Sequence, residues 1–306
     1  MKTSRSLILL STLLPLAGVW AQPTASTGAI TGISFVDSSL GAPVTVNVGI
    51  ADPNSLSGAA IKTVTYENNS RTLTEFTVGS NTYTPLPILP SSVVLRRTTT
   101  PIAETFPNNV WNQAVSGASN SNTFVLEGPR VDSSEQAFAN NNMFVGMDNI
   151  FQNNTTDTPN RTSVQRLDVI FEGGITVNEF MSFAIFERGG NDPFQIAAIT
   201  GLDTNGDPNA YGNRVGFPTG NTTWGSGVGV SINSLVLRST MGVDENDDPI
   251  MISEPHAPSA WVPSQNIHGV NISVVDTLGI ASGVLIYGYS LFAGDVTGSG
   301  NDLVNW

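Results

Sequence analysis

Val44-Thr45-Val46-Asn47-Val48 alternates apolar and polar side chains without a break. In an extended chain successive side chains point to opposite faces, so the valines turn toward a core and the polar residues toward water. A helix would instead put Val46 on the side opposite Val44 and Val48. The stretch therefore predicts a half-buried strand, and it is the template for reading the rest of the chain.

Working outward, period-two alternation or short apolar runs predict strands at Ala29–Val36, Pro43–Ile50, Ile61–Tyr66, Arg71–Val78, Ser92–Thr98, Thr123–Glu127, Arg166–Phe171, Met181–Glu187, Phe194–Thr200, Gly227–Leu237, Ile267–Val275 and Gly283–Phe292. Turn clusters such as Asp52-Pro53-Asn54, Asn81-Thr82, Gly189-Gly190-Asn191 and Asn205-Gly206-Asp207 separate them. The best helical candidate is Ser133 to Asn140, a short turn that Asp132 or Ser133 can cap. The fold predicted is all-β: an antiparallel β-sandwich of jelly-roll type with long polar loops. Pro101 to Asn122 is rich in Pro, Asn, Ser and Gly. It reads as a long surface connection within one domain over residues 22–306, or as the boundary of two smaller β-domains split near 101–122. The halves share no duplicated pattern, which favours one domain.

Residues 1–21 read as a signal peptide. Lys2 and Arg5 form a basic start, Leu7 to Trp20 is mostly apolar, and Val19-Trp20-Ala21 has the small residues that a signal peptidase accepts. The apolar run is too short and interrupted to be a convincing membrane span, so no membrane insertion is expected after its removal. The mature chain is expected to begin at Gln22 with 10 basic and 25 acidic residues, a net charge of −15. Nucleic acid and anionic membrane surfaces are poor partners for that charge. The sequence has no cysteine, which excludes a disulfide scaffold, a thiolate metal site and a cysteine nucleophile. Its 29 asparagines, against 12% charged residues, suit polar turns between strands better than surface helices. The chain is expected to be secreted, bacterial, and extracellular or at the cell surface.

Oxygen-rich turns are the most chemically suggestive stretches. Asp203, Asn205 and Asp207 place side-chain oxygens at alternate positions, as calcium loops do for a hard cation. Position twelve of that stretch is Arg214, so it is not an EF-hand. The same residues also make an ordinary hairpin turn. Asp295, Asn301 and Asp302 form a second candidate calcium set around Gly298 and Gly300. The acidic run Asp244 to Asp248 reads as a solvated loop.

Catalytic constellations are sparse. His256 and His268 are the only histidines, and the chain has no Gly-x-Ser-x-Gly elbow. Asp168, Glu172, Glu179 and Glu187 could pair as glycosidase carboxylates, but acids on a sheet edge are more often solvated. Trp111, Trp224, Trp261, Tyr211 and Tyr289 stack on sugars if exposed together and otherwise pack the core.

Two stretches carry a family resemblance. Phe186-Glu187-Arg188-Gly189-Gly190-Asn191-Asp192-Pro193-Phe194-Gln195-Ile196-Ala197-Ala198-Ile199 with Asp203 to Gly212, and Tyr287-Gly288-Tyr289-Ser290-Leu291-Phe292 with Asp295 and Asp302-Leu303-Val304, resemble a recurrent pattern of large secreted bacterial surface proteins of unassigned function. The last of these also resembles the closing strand of anchored extracellular β-sandwich domains, where acids near the strand are thought to bind calcium. The resemblance spans about residues 142–306, implies a β-rich surface module and supplies no catalytic residue. The chain stops at Trp306 without an anchoring segment, and is expected to be a fragment or a freestanding version.

These readings converge on a non-enzymatic structural or adhesion module, calcium-stabilised, that meets extracellular glycan or other surface proteins or assembles with itself. A carbohydrate-binding module is the alternative, and a glycan-active enzyme the second.

Overall fold

The structure, a computed structural model, describes residues 25–48, 62–97, 110–115, 123–131, 133–147, 164–243, 249–255 and 261–294. Residues 1–21, expected to be a signal peptide, the run 244–248, His256, and the set Asp295, Asn301 and Asp302 lie outside the described residues.

The fold is all-β and sandwich-like, with strands gathered into several antiparallel sheets and, among the described residues, no barrel. A seven-stranded sheet runs Gly28–Ala29, Trp261–Ser273, Ser231–Val243, Val110–Ala114, Val145–Met147. Ser182–Arg188 also pairs with Trp261–Ser273, and Pro249–Pro255 with Ser231–Val243. A six-stranded sheet runs Pro208–Tyr211, Phe194–Leu202, Leu285–Ala293, Val164–Thr176, Ser92–Arg97, with Val215–Phe217 also on Phe194–Leu202. Two three-stranded sheets, Gly32–Ser39 with Asn69–Val78 and Asn81–Tyr83, and Val44–Val48 with Lys62–Tyr66 and Thr123–Leu126, complete the framework. The described sheets thus number four where two were expected. Lys62–Tyr66 and Thr123–Leu126 run parallel, and every other strand pair among the described residues is antiparallel.

Alternation explains the main core. Phe183, Ile185, Val270 and Ile272 of the seven-stranded sheet pack in one cluster with Leu167, Val169, Phe194, Ile196, Ala198 and Leu291 of the six-stranded sheet. Trp224, 1% exposed, closes the cluster from the short helix Asn221–Trp224, and its indole N–H donates to the Asp192 carbonyl at 3.1 Å. Truncating such a side chain to alanine costs about 3–5 kcal/mol. The template strand Val44–Val48 forms as read, with Val46 against a second core, although Val44 is 43% exposed. The expected helix spans Ser134–Ala139, and the Ser133 hydroxyl accepts the Gln136 amide at 3.1 Å.

The segment read as connection or boundary contains a strand. Val110–Ala114 pairs with Ser231–Val243 on one side and Val145–Met147 on the other. Its Gln113 is fully buried, with the side-chain amide donating to the Pro129 carbonyl at 2.7 Å. A strand bonded on both sides can bury a side-chain amide whose nitrogen is hydrogen-bonded, so no alternation marks it.

Candidate functional site

Asn68 immediately precedes a strand that lines a surface recess. It takes a left-handed φ of 56°, tolerated by asparagine, and its amide donates to the Ala42 carbonyl at 2.6 Å. The turn delivers Asn69–Val78 beside Gly32–Ser39. Buried Asn142 then fastens a separate segment to that strand: its Oδ1 accepts the Arg71 and Phe144 amides at 3.1 and 3.0 Å, and its Nδ2 donates to the Asn69 carbonyl at 2.9 Å. Between these elements and the strands Val110–Ala114 and Ser231–Val243 lies a groove of about 520 Å³.

Arg71 is the fixed point of the groove. Its Nε and Nη2 each donate to a carboxylate oxygen of Asp37 at 2.8 Å, and its guanidinium carbon lies 4.3 Å from the Phe35 ring centre and 4.7 Å from that of Phe144. Planar pairing plus two ring contacts hold the fork rigid. The hydrogen bonds from Arg71 hold the Asp37 carboxyl below its ordinary value, so it is anionic. Two further carboxylates, of Glu67 and Glu127, converge on the Asn69 side-chain amide at 3.4 and 3.3 Å. Ser38, Ser39, Ser231 and Asn233 add polar lining, and Ala114, Val115, Phe144 and Ile232 supply apolar surface.

Comparison of the chain with protein-family models, characterised proteins and solved structures finds no match. The local chemistry therefore carries the functional argument.

The expected calcium turn joins Phe194–Leu202 to Pro208–Tyr211. Asp203 Oδ1 accepts the amides of Asn205 at 2.8 Å and Asp207 at 3.0 Å, and the Asp203 amide donates to the Asp207 carbonyl at 2.8 Å. The carboxylate of Asp207 points instead to Arg96, with which it pairs. Among the described residues, no group of three or more histidines and acids is arranged to hold a metal ion.

Arg96 leads into a buried charge cluster that no motif announced. Arg166 and Arg96 lie directly opposite across neighbouring strands, an unfavourable like-charge pair taken alone. Asp168, two residues along on the same face and fully buried, resolves it: Arg96 Nε lies 3.1 Å from Oδ2 and Arg166 Nε 2.8 Å from Oδ1. The Tyr211 ring centre is 5.7 Å from the Arg166 guanidinium. Burial first, and then Asp168, pushes the Tyr211 hydroxyl up to about 12. Two arginines, Asp168 and Asp207 balance to zero, so the cluster fastens the hairpin to the sheet rather than attracting a charged ligand.

The four proposed glycosidase acids do not gather. Asp168 is bound in the cluster, Glu172 and Glu179 are exposed, and Glu187 lies on the other sheet. Glu187 Oε2 accepts the amides of Gly190 and, at 3.3 Å, Asn191, capping the Gly189-Gly190 turn. Desolvation by burial, with the Asp192 charge added, raises its carboxyl to about 7. Gly190 has φ 69°, and a Cβ there would sit 2.8 Å from Nδ1 of His268. His268 itself is buried, with Nδ1 3.3 Å from the Trp224 carbonyl. This is a tightly packed corner of the sandwich.

Proposed function

We propose that the chain is a secreted, non-enzymatic β-sandwich module of the bacterial surface or extracellular matrix that serves adhesion or assembly. One observation carries the reading: Gly32–Ser39 is an edge strand, paired among the described residues only with Asn69–Val78, and it presents Val36 at 56% exposure with Leu40 at 58% just beyond it. An extended edge with free backbone groups and aliphatic side chains is a template for adding a strand from another chain. The leader-like start, the absence of cysteine in the sequence and the acidic composition support export.

The test is twofold. Protein recovered from the culture medium or shaved from intact cells should begin at Gln22, and the purified mature chain should self-associate with rising concentration in sedimentation velocity. Val36→Lys should abolish that association while leaving the fold intact. Retained Met1 in exported material, or a monomer at every concentration that also fails to adhere to cells, counts against the reading.

A glycan-active enzyme is the second reading, favoured by the convergence of Glu67 and Glu127 on Asn69 beside the groove. Hydrolysis of an oligosaccharide that is lost in Glu127→Gln, with the fold retained, would replace the non-enzymatic reading.

A further inference from the structure

The groove contains an unusual balance of fixed polar groups. The Arg71 fork is spent on Asp37 through Nε and Nη2, so its remaining nitrogen, Nη1, has no partner among the described residues. Exposed Ser38 and Asn233 likewise have no side-chain hydrogen bond to the described residues. Donors and acceptors thus stand side by side on a rigid frame: the Arg71 guanidinium, the Asp37 and Glu127 carboxylates, the Asn233 amide and the Ser38 hydroxyl. Apolar surface from Phe144 and Ile232 lies among them.

Three ligand classes can be compared against this lining. An anion would meet the Asp37 and Glu127 carboxylates of the lining with Arg71 in opposition, a local excess of negative charge. A wholly apolar ligand would strip water from carboxylates and a guanidinium without replacing those hydrogen bonds. A neutral polyol avoids both costs. Each of its hydroxyls donates and accepts, so vicinal pairs can bridge a carboxylate and a neighbouring N–H, while the ring C–H surface covers the apolar lining.

We propose that this groove binds a neutral oligosaccharide, with the lining residues Ser38 and Asn233 as direct hydrogen-bonding residues and Arg71 as the pre-oriented donor. The inference rests on the reading of the chain as an extracellular adhesive module and gives that module a ligand class. Binding of this kind is weak for a short sugar and gains strength from repetition on a surface, because linked sites engage at high effective concentration.

The experiment is titration calorimetry of the mature chain with cellohexaose and chitohexaose as neutral probes and hexagalacturonate as the anionic one. At least one neutral probe should bind saturably. Ser38→Ala and Asn233→Ala should each weaken it about fivefold, the loss expected for one ligand hydrogen bond. Both positions are exposed, so an unchanged urea midpoint should show that the fold is kept. Absence of saturable binding by either neutral probe overturns the proposal. So does binding that the double variant leaves unchanged, or tighter binding of hexagalacturonate. Failure of the two readings is separable: export and self-association without sugar binding sinks the groove alone, and sugar binding by a chain that is never exported sinks the surface module alone.

Discussion

Asp168 and Ser290 face each other across adjacent strands, and the Ser290 hydroxyl donates to Asp168 Oδ1 at 2.6 Å. Both are fully buried, as is nearly all of Arg166. A buried ion cluster contributes little net stability compared with apolar residues of the same shape, yet removing one partner leaves the others uncompensated. Asp168→Ala should therefore cost about 3–5 kcal/mol in urea unfolding. Ser290→Ala removes one hydrogen bond to a charge and should cost about 1.5–3 kcal/mol. Equal and small losses in both variants would show that the cluster is solvated.

Glu187 makes stability depend on pH. Its folded-state carboxyl is raised from 4.5 to about 7, so between those values the folded chain holds a proton that the unfolded chain has released. The associated stabilisation is fully present below about pH 4.5 and is lost as pH rises through about 7. Melting temperature across that window should fall with rising pH more steeply in the wild type than in Glu187→Gln. Parallel profiles would assign the slope to other groups.

Among the described glycines, Gly288 is the position where a methyl group is least tolerable. It has φ 119°, and a Cβ would lie 2.0 Å from the Val169 carbonyl oxygen, an atom of the paired strand's backbone that cannot swing aside. Gly288→Ala should cost at least about 3 kcal/mol, the upper end for overpacking plus backbone strain. Soluble expression with an unchanged urea midpoint would contradict it.

Calcium should raise the melting temperature of the wild type beyond ionic-strength-matched magnesium or chelator. A site filled at a hundredfold excess over its dissociation constant adds about 2.7 kcal/mol. Asp203→Ala tests the described turn. There Oδ1 already accepts two backbone amides, so the variant should lose stability in all three buffers, and only the difference between buffers reports the ion. Asp295→Ala tests the acidic stretch outside the described residues. Three coincident wild-type curves would leave these stretches as polar turns.

Alternation made strands such as Phe194–Leu202 and Thr123–Leu126 legible, and the Ser133 cap marked its helix. Val110–Ala114 was hidden because Gln113 lies where a core strand is usually apolar, and its amide nitrogen finds its acceptor, the Pro129 carbonyl, in another segment. Asp168 was visible as an acid but not in its role: Arg96 is 72 residues away along the chain and Ser290 is 122. The groove was invisible for the same reason, since Asp37, Arg71, Glu127 and Asn233 come from four separated segments and share no local pattern. Side-chain chemistry reads locally, whereas convergence depends on strand order.

The pairing of Gly28 with Asn271 and Ala29 with Val270 has a consequence for how the protein is made. The Thr27 hydroxyl also reaches Thr277, 250 residues later. The first strand has no place to dock until almost the whole described chain has emerged, and such long-range closure is slow. A ribosome-bound or partly threaded chain therefore lacks the partner for its own beginning. For the export proposed above, that delay would keep the native structure from locking shut before the chain has passed through a narrow channel.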